Sequence, residues 1–160
     1  MKLSNLLSAD QIILDLKAEG HGSVIVELVD HLVDTGLLPA SLRDESLAAL
    51  KAREDQVSTG IGSGVAIPHA FSDELDEVVA VFGRSITGID FEAIDNAPVH
   101  FIILFLVPRK QYQLHLRTLA AIAKLFANSE VRRQLAAAAT RDEVLAILEA
   151  RPNRNGTNDA

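Results

Sequence analysis

The chain contains no cysteine in its 160 residues, which excludes disulfides, thiolate nucleophiles and Cys-ligated metal sites. It also lacks any run of lysines or arginines, and its formal net charge is −7 with a pI near 5.1. Such a balance leaves no basic footprint for gripping nucleic acid or an anionic lipid surface. The strongest apolar run, residues 101–107, is far short of the roughly 20 residues that cross a bilayer, so no direct membrane insertion is expected. The start, MKLSNLLSADQ, has neither the basic opening nor the apolar centre of a secretion signal. A cytoplasmic location is the expectation. Internal repeats are missing too.

With 48% hydrophobic residues, the chain can bury one substantial core, and its length argues for a single domain over residues 1–150. The polar tail 151–160, RPNRNGTNDA, reads as disordered. Its Asn155-Gly156-Thr157 glycosylation acceptor carries no weight in a cytoplasmic chain.

Helical and strand patterns interleave. A short strand or turn over 11–14 is followed by a helix over 22–35, where Val24, Leu28, Val29 and Leu32 recur at helical spacing before Gly36. Pro39 opens a second helix with Ser41 as N-cap, Asp44 and Glu45 in its first turn, Leu47 and Leu50 on its buried side, and Lys51 and Arg53 closing it. A strand over 65–67 follows a glycine-rich loop. The apolar run 78–82 ends at Gly83, and a turn is expected around Thr87-Gly88. Pro98 and Pro108 bracket VHFIILFLV, whose lack of alternation marks a strand covered on both faces. A third helix over 111–127 places His115, Leu119, Ile122 and Phe126 on one stripe that should face the sheet. Ser129 is expected to cap a fourth helix through Ala139, and Thr140 a fifth that ends at Pro152. The fold class expected is α/β: a three-layer α/β/α sandwich with a central sheet flanked by helices.

The loop STGIGSGVAIPHA, residues 58–70, holds three of the nine glycines, Gly60, Gly62 and Gly64. They lack the spacing of a dinucleotide fingerprint and precede a strand where that fingerprint would follow one; no GK[ST] completes a P-loop. Ser63, flanked directly by glycines, does not fit a nucleophile elbow. Asp30, His31 and Asp34 share a helix, but that grouping reads as a solvated helix face rather than a metal site.

The histidines differ in promise. Pro68 fixes its own φ and pushes Ile67 to extended geometry, so His69 is delivered at a stiffly defined place. The glycines before it clear side-chain bulk and bare backbone N–H groups that suit a phosphoryl group; a plain strand-edge turn with an incidental His is the alternative. His115 stands in the first turn of its helix, just after the most buried strand, where the positive end of the helix dipole favours a neutral ring and a nearby anion. A buried His bonded to a backbone carbonyl would explain it as well. Arg53 has the planar fork of a phosphate clamp or is a favourable charge in a last helical turn. His21 and His100 have no companion at useful spacing and read as structural or solvated.

These residues resemble a family: the enzyme IIA domains of the bacterial phosphoenolpyruvate-dependent phosphotransferase system, of the fructose/mannitol/nitrogen-regulatory type. Glu54, Ile61-Gly62 and Val65-Ala66-Ile67-Pro68-His69-Ala70 fill every slot of that family's signature, and REDQVSTGIG, GRSITGIDFEAIDNAPVHFIILFLVP and HLRTLAAIAKLF resemble the nitrogen-regulatory branch in order and spacing. The resemblance implies a mixed central sheet, His69 as the phosphorylated nucleophile, and Arg53 and His115 beside it. Ser58, Thr59, Gly60, Gly62 and Gly64 are expected to line the phosphate, and Ile61 and Phe71 to dock an HPr-like or NPr-like phosphocarrier as donor. Phe71-Ser72 departs from relatives, which often carry Gly or Ala followed by a basic residue. No metal or cofactor is implied. Two roles follow from the resemblance: regulation of partner proteins by phosphorylation state, which the absence of a permease or a sugar-phosphorylating domain favours, or relay of phosphate to a IIB domain in fructose- or mannitol-type transport.

Overall fold

The structure, a computed structural model, describes residues 3–149. Its centre is a six-stranded mixed sheet in the order β1-β5-β6-β3-β2, with β4 also beside β6. The strands are β1 (Ile12–Ile13), β2 (Gly60–Gly62), β3 (Val65–Ala66), β4 (His69–Ser72), β5 (Val79–Ile89) and β6 (Val99–Pro108). The helices are α1 (His21–Asp34), α2 (Arg43–Gln56), α3 (Tyr112–Phe126), α4 (Ser129–Ala137) and α5 (Arg141–Glu149). β6 runs antiparallel to β5 and parallel to both β3 and β4.

The unbroken apolar run of β6 is explained by the two layers it serves. Ile102, Leu104 and Leu106 enter the core that holds Val24, Leu28 and Leu32 of α1 and Leu47 and Leu50 of α2. Phe101, Ile103, Phe105 and Val107 enter the other, with Ile122 and Phe126 of α3, Val131 and Leu135 of α4, and Val144 and Leu148 of α5. Each such side chain contributes about 1.5–3 kcal/mol by burial. The expected three-layer α/β fold and the sheet-facing stripe of α3 are both observed. Arg84 of β5, itself buried, helps bind the layers: its Nε donates to the Leu14 carbonyl and its Nη1 to those of Leu135 and Ala138.

Several local expectations are corrected. The strand expected over 65–67 ends at Ala66, because Pro68 has no N–H to give the ladder. Pairing with β6 then resumes in β4, starting at His69 opposite Phe105. β5 runs straight through Gly83 and the turn expected at Thr87-Gly88, its ladder with β6 absorbing the irregularity as a register shift between Arg84 and Ile89. Ser41 does not cap α2; it lies inside a 3₁₀ turn, Ala40–Leu42, and the helix starts after Leu42 without a side-chain cap and continues past Arg53 to Gln56. Asn128 rather than Ser129 caps α4, its side chain accepting from the Glu130 and Val131 amides. Thr140 does receive the Glu143 amide at the start of α5; the expected end at Pro152 and the tail 151–160 lie outside the described residues. No helix among the described residues is long and apolar enough to cross a membrane.

Candidate functional site

His69 is the first residue after the break at Pro68, and its partner register with Phe105 sets it near the C-terminal end of β6. The break is itself bonded: Ile67 donates to the Thr59 carbonyl at 3.0 Å, and the Pro68 carbonyl accepts from Phe105 at 3.0 Å. The half-buried imidazole places Nδ1 2.8 Å from the carbonyl oxygen of Ile67. A carbonyl can only accept, so Nδ1 carries the proton and Nε2 carries the free lone pair. The pKa of His69 is held below its ordinary value chiefly by burial and further by the Arg53 cation, against the opposing pull of the Ile67 bond and Glu54.

His115 reaches the same place from the first turn of α3. Its ring centroid is 5.1 Å from that of His69, and the two rings are tilted by 53°. Only 3% of the residue is exposed. Phe71 and Phe105 pack against it edge-on at 5.6 and 5.8 Å. Its Nε2 is buried with no hydrogen-bond partner among the described residues, an arrangement that costs about 1–3 kcal/mol unless something arrives to fill it. Burial first, and the neighbouring His69 second, push its pKa down to about 4. Both rings are thus neutral near pH 7, two bases at the same spot.

Arg53 stands in the last turn of α2. Its Nη1 donates to the Val57 carbonyl at 2.7 Å, and its charge is felt at His69. Next to it, the buried Glu54 holds the loop: Oε2 accepts from the Thr59 amide at 2.9 Å and Oε1 from the Thr59 hydroxyl at 2.6 Å. α2 is thereby tied to the chain that leads to His69.

The loop differs from the sequence expectation in how it uses its polar groups. The Thr59 amide is taken by Glu54, the Gly60 amide by Ser58 Oγ at 3.0 Å, and the Ser58 hydroxyl by the Phe91 carbonyl. Ser58, Thr59 and Gly60 therefore brace the loop from within and do not offer those donors to an anion. Gly60 is required by close approach, since a Cβ there would stand 2.7 Å from that of Ala93. Gly62 has φ +95°, and Ser63 and Gly64, the two residues between β2 and β3, have φ of 58° and +79°, the signs that a type I′ hairpin turn needs at both positions. Ile61 is exposed, whereas Phe71 is half-buried in the wall of the histidine pair.

The other histidines stay apart. His100 Nδ1 pairs with the Ser85 carbonyl at 2.9 Å, and His31 Nε2 with the Asp10 carbonyl at 2.6 Å. Asp30 is engaged by Arg43, with Nε to Oδ1 at 2.5 Å. Sequence reasoning brought together His69, His115 and Arg53, and it missed the Ile67 carbonyl and the anchoring role of Glu54. The first has no side-chain signature at all. The second was visible only as a carboxylate five residues before a threonine, the reach of a capping-type contact.

Residues 5–151 match the family described as phosphoenolpyruvate-dependent sugar phosphotransferase system, EIIA 2. The chain is 34% identical over 148 residues to the PTS system fructose-specific EIIABC component of Bacillus subtilis, covering 92% of this chain and 23% of that protein. It is 42% identical over 101 residues to a nitrogen regulatory protein of Escherichia coli, covering 62% of each. The solved structure of nitrogen regulatory protein IIA-Ntr from Neisseria meningitidis superposes with a TM-score of 0.83 at 30% identity, over 91% of this chain and 98% of that one. The chain thus spans less than two thirds of both curated relatives.

Proposed function

The chain belongs to the EIIA 2 family of the phosphoenolpyruvate-dependent sugar phosphotransferase system, and from that premise we propose that it is a phosphoryl carrier charged reversibly on His69. The observation that carries this is the Nδ1 contact with the Ile67 carbonyl, which leaves Nε2 as the attacking atom. The Nε2 lone pair forms the new N–P bond while the N–P bond on the donor's phosphohistidine breaks and its electron pair returns to the donor ring. Nδ1 keeps its proton throughout, and the Ile67 carbonyl stabilises the positive charge that grows on the ring. The Arg53 guanidinium offsets charge on the phosphoryl oxygens, the main demand of a loose, in-line transfer. Neutral His115, with its unpartnered buried Nε2, takes up the arriving phosphoryl group by hydrogen bonding. Gly62 and Gly64 shape the approach. The activity is that of a phosphotransferase working through phosphohistidine, with no step assigned to a metal.

The donor is an HPr-like or NPr-like phosphocarrier docking over Ile61 and Phe71, which places the exchange in the cytoplasm. Regulation of partner proteins by phosphorylation state is the favoured role, supported by similarity to IIA-Ntr across nearly that whole chain. Relay to a IIB domain in fructose transport is the second reading, supported by the match to the fructose-specific component over most of this chain. Incubation with labelled phosphoenolpyruvate and the upstream proteins should give acid-labile label; a chain that stays unlabelled overturns the proposal. Offering the labelled chain a fructose-type IIB domain separates the roles, since efficient transfer supports transport and failure supports regulation.

A further inference from the structure

Phe71 follows His69 by two residues in β4 and shares its face of the strand. Its ring meets His115 edge-on at 5.6 Å and also packs against Tyr112 at 5.4 Å. The Arg109 guanidinium lies 5.8 Å from the Phe71 ring centre and is itself steadied by Asp73, Nε to Oδ1 at 2.9 Å. Phe105, the other aromatic against His115, is fully buried in the sheet, whereas Tyr112 and Arg109 are exposed. His115 therefore has one fully buried wall, Phe105, and one only half-buried, Phe71.

We propose that Phe71 is a positioning residue: its ring is the outer wall that keeps water from His115 and holds that imidazole beside His69. In this role it acts through His115 and needs no contact with a phosphoryl group. The titratable group felt at His115 is His69 on β4, which in turn feels Arg53 and Glu54 of α2, and the Arg109 cation stands over Phe71. Asp73, the carboxylate beside Phe71, is bound to Arg109. Burial is accordingly the leading cause of the low basicity of His115, and the wall that supplies the burial controls it. The effect on transfer rests on the carrier function proposed above; the wall itself does not.

The test is the ring titration of His115 by NMR in the full, unphosphorylated chain, comparing the natural protein with Phe71→Ala, Phe71→Val and Phe71→Leu. Opening the wall in F71A should raise the His115 pKa by about one pH unit or more toward the ordinary value, with a smaller rise in F71V. F71L keeps an apolar cover and should return the titration to near that of the natural protein. His115 titrating in F71A as it does with Phe71 in place overturns the proposal; should F71A fail to fold, F71V decides the same question with a residue suited to a strand. Because the titration uses no donor, an unlabelled natural chain would overturn the carrier function and leave this result standing.

Discussion

The Nδ1 atom of His69 lies 2.8 Å from the carbonyl oxygen of Ile67, two residues back across Pro68. A proline between the two fixes the bend, so the backbone that interrupts the sheet also dictates which ring nitrogen faces the site. The tautomer is a local property of the Ile-Pro-His sequence.

Replacing Arg53 should slow transfer and spare the fold. Its one hydrogen bond among the described residues is to the Val57 carbonyl at the end of α2, which puts the stability loss in Arg53→Ala at about 1 kcal/mol. Losing a preorganised donor to the phosphoryl oxygens should slow charging by roughly 100-fold. Arg53→Lys should recover only part of that, because an ammonium lacks the planar fork. Charging of Arg53→Ala at the natural rate would remove Arg53 from the mechanism.

Acid should unfold this chain partly through His115. Its pKa drops from 6.5 to about 4 on folding, so between those values the unfolded chain binds a proton that the folded chain refuses. Stability is therefore complete above about pH 6.5 and falls as pH drops toward 4, by on the order of 2 kcal/mol at about pH 5 and about 3 kcal/mol at about pH 4, with His69 contributing in the same direction. Urea midpoints at about pH 7.5 and about pH 5 should diverge less in His115→Gln, which has no ring to titrate. Equal acid losses in the two proteins would contradict the assignment.

Glu54 should prove to be the link between α2 and the loop. Glu54→Ala leaves the buried Thr59 amide and hydroxyl without their acceptor, a loss of about 2–3 kcal/mol, and frees the loop that leads to His69. Glu54→Gln keeps one carbonyl oxygen and should lose less than half as much. A urea midpoint for Glu54→Ala matching that of the natural chain would show that the contact carries no weight.

The sequence discloses some parts of this molecule far better than others, for physical reasons. β6 could be read directly because an apolar run bracketed by Pro98 and Pro108 has one economical explanation, burial on both faces. The stripe on α3 is equally plain, since His115, Ile122 and Phe126 share one side of a regular helix. The strand after Pro68 was hidden, because a proline looks like a terminus when it is only a missing donor in a ladder that β6 keeps in register. The caps at Ser41 and Ser129 failed because a neighbour could do the same work or a 3₁₀ turn took over the entry. At the site, His69 was marked by its glycines and proline, while the cage around His115 depends on Phe71 and Phe105 from two different strands. No spacing along the chain reveals a contact of that kind.

The carrier function and its tautomer are tested together by the ring-nitrogen NMR spectrum of the ¹⁵N-labelled chain after charging by phosphoenolpyruvate and its upstream carriers. The contact with Ile67 predicts phosphorus on Nε2 of His69, with Nδ1 still protonated toward that carbonyl. Phosphorus on Nδ1 of His69, or on any other residue, would contradict it.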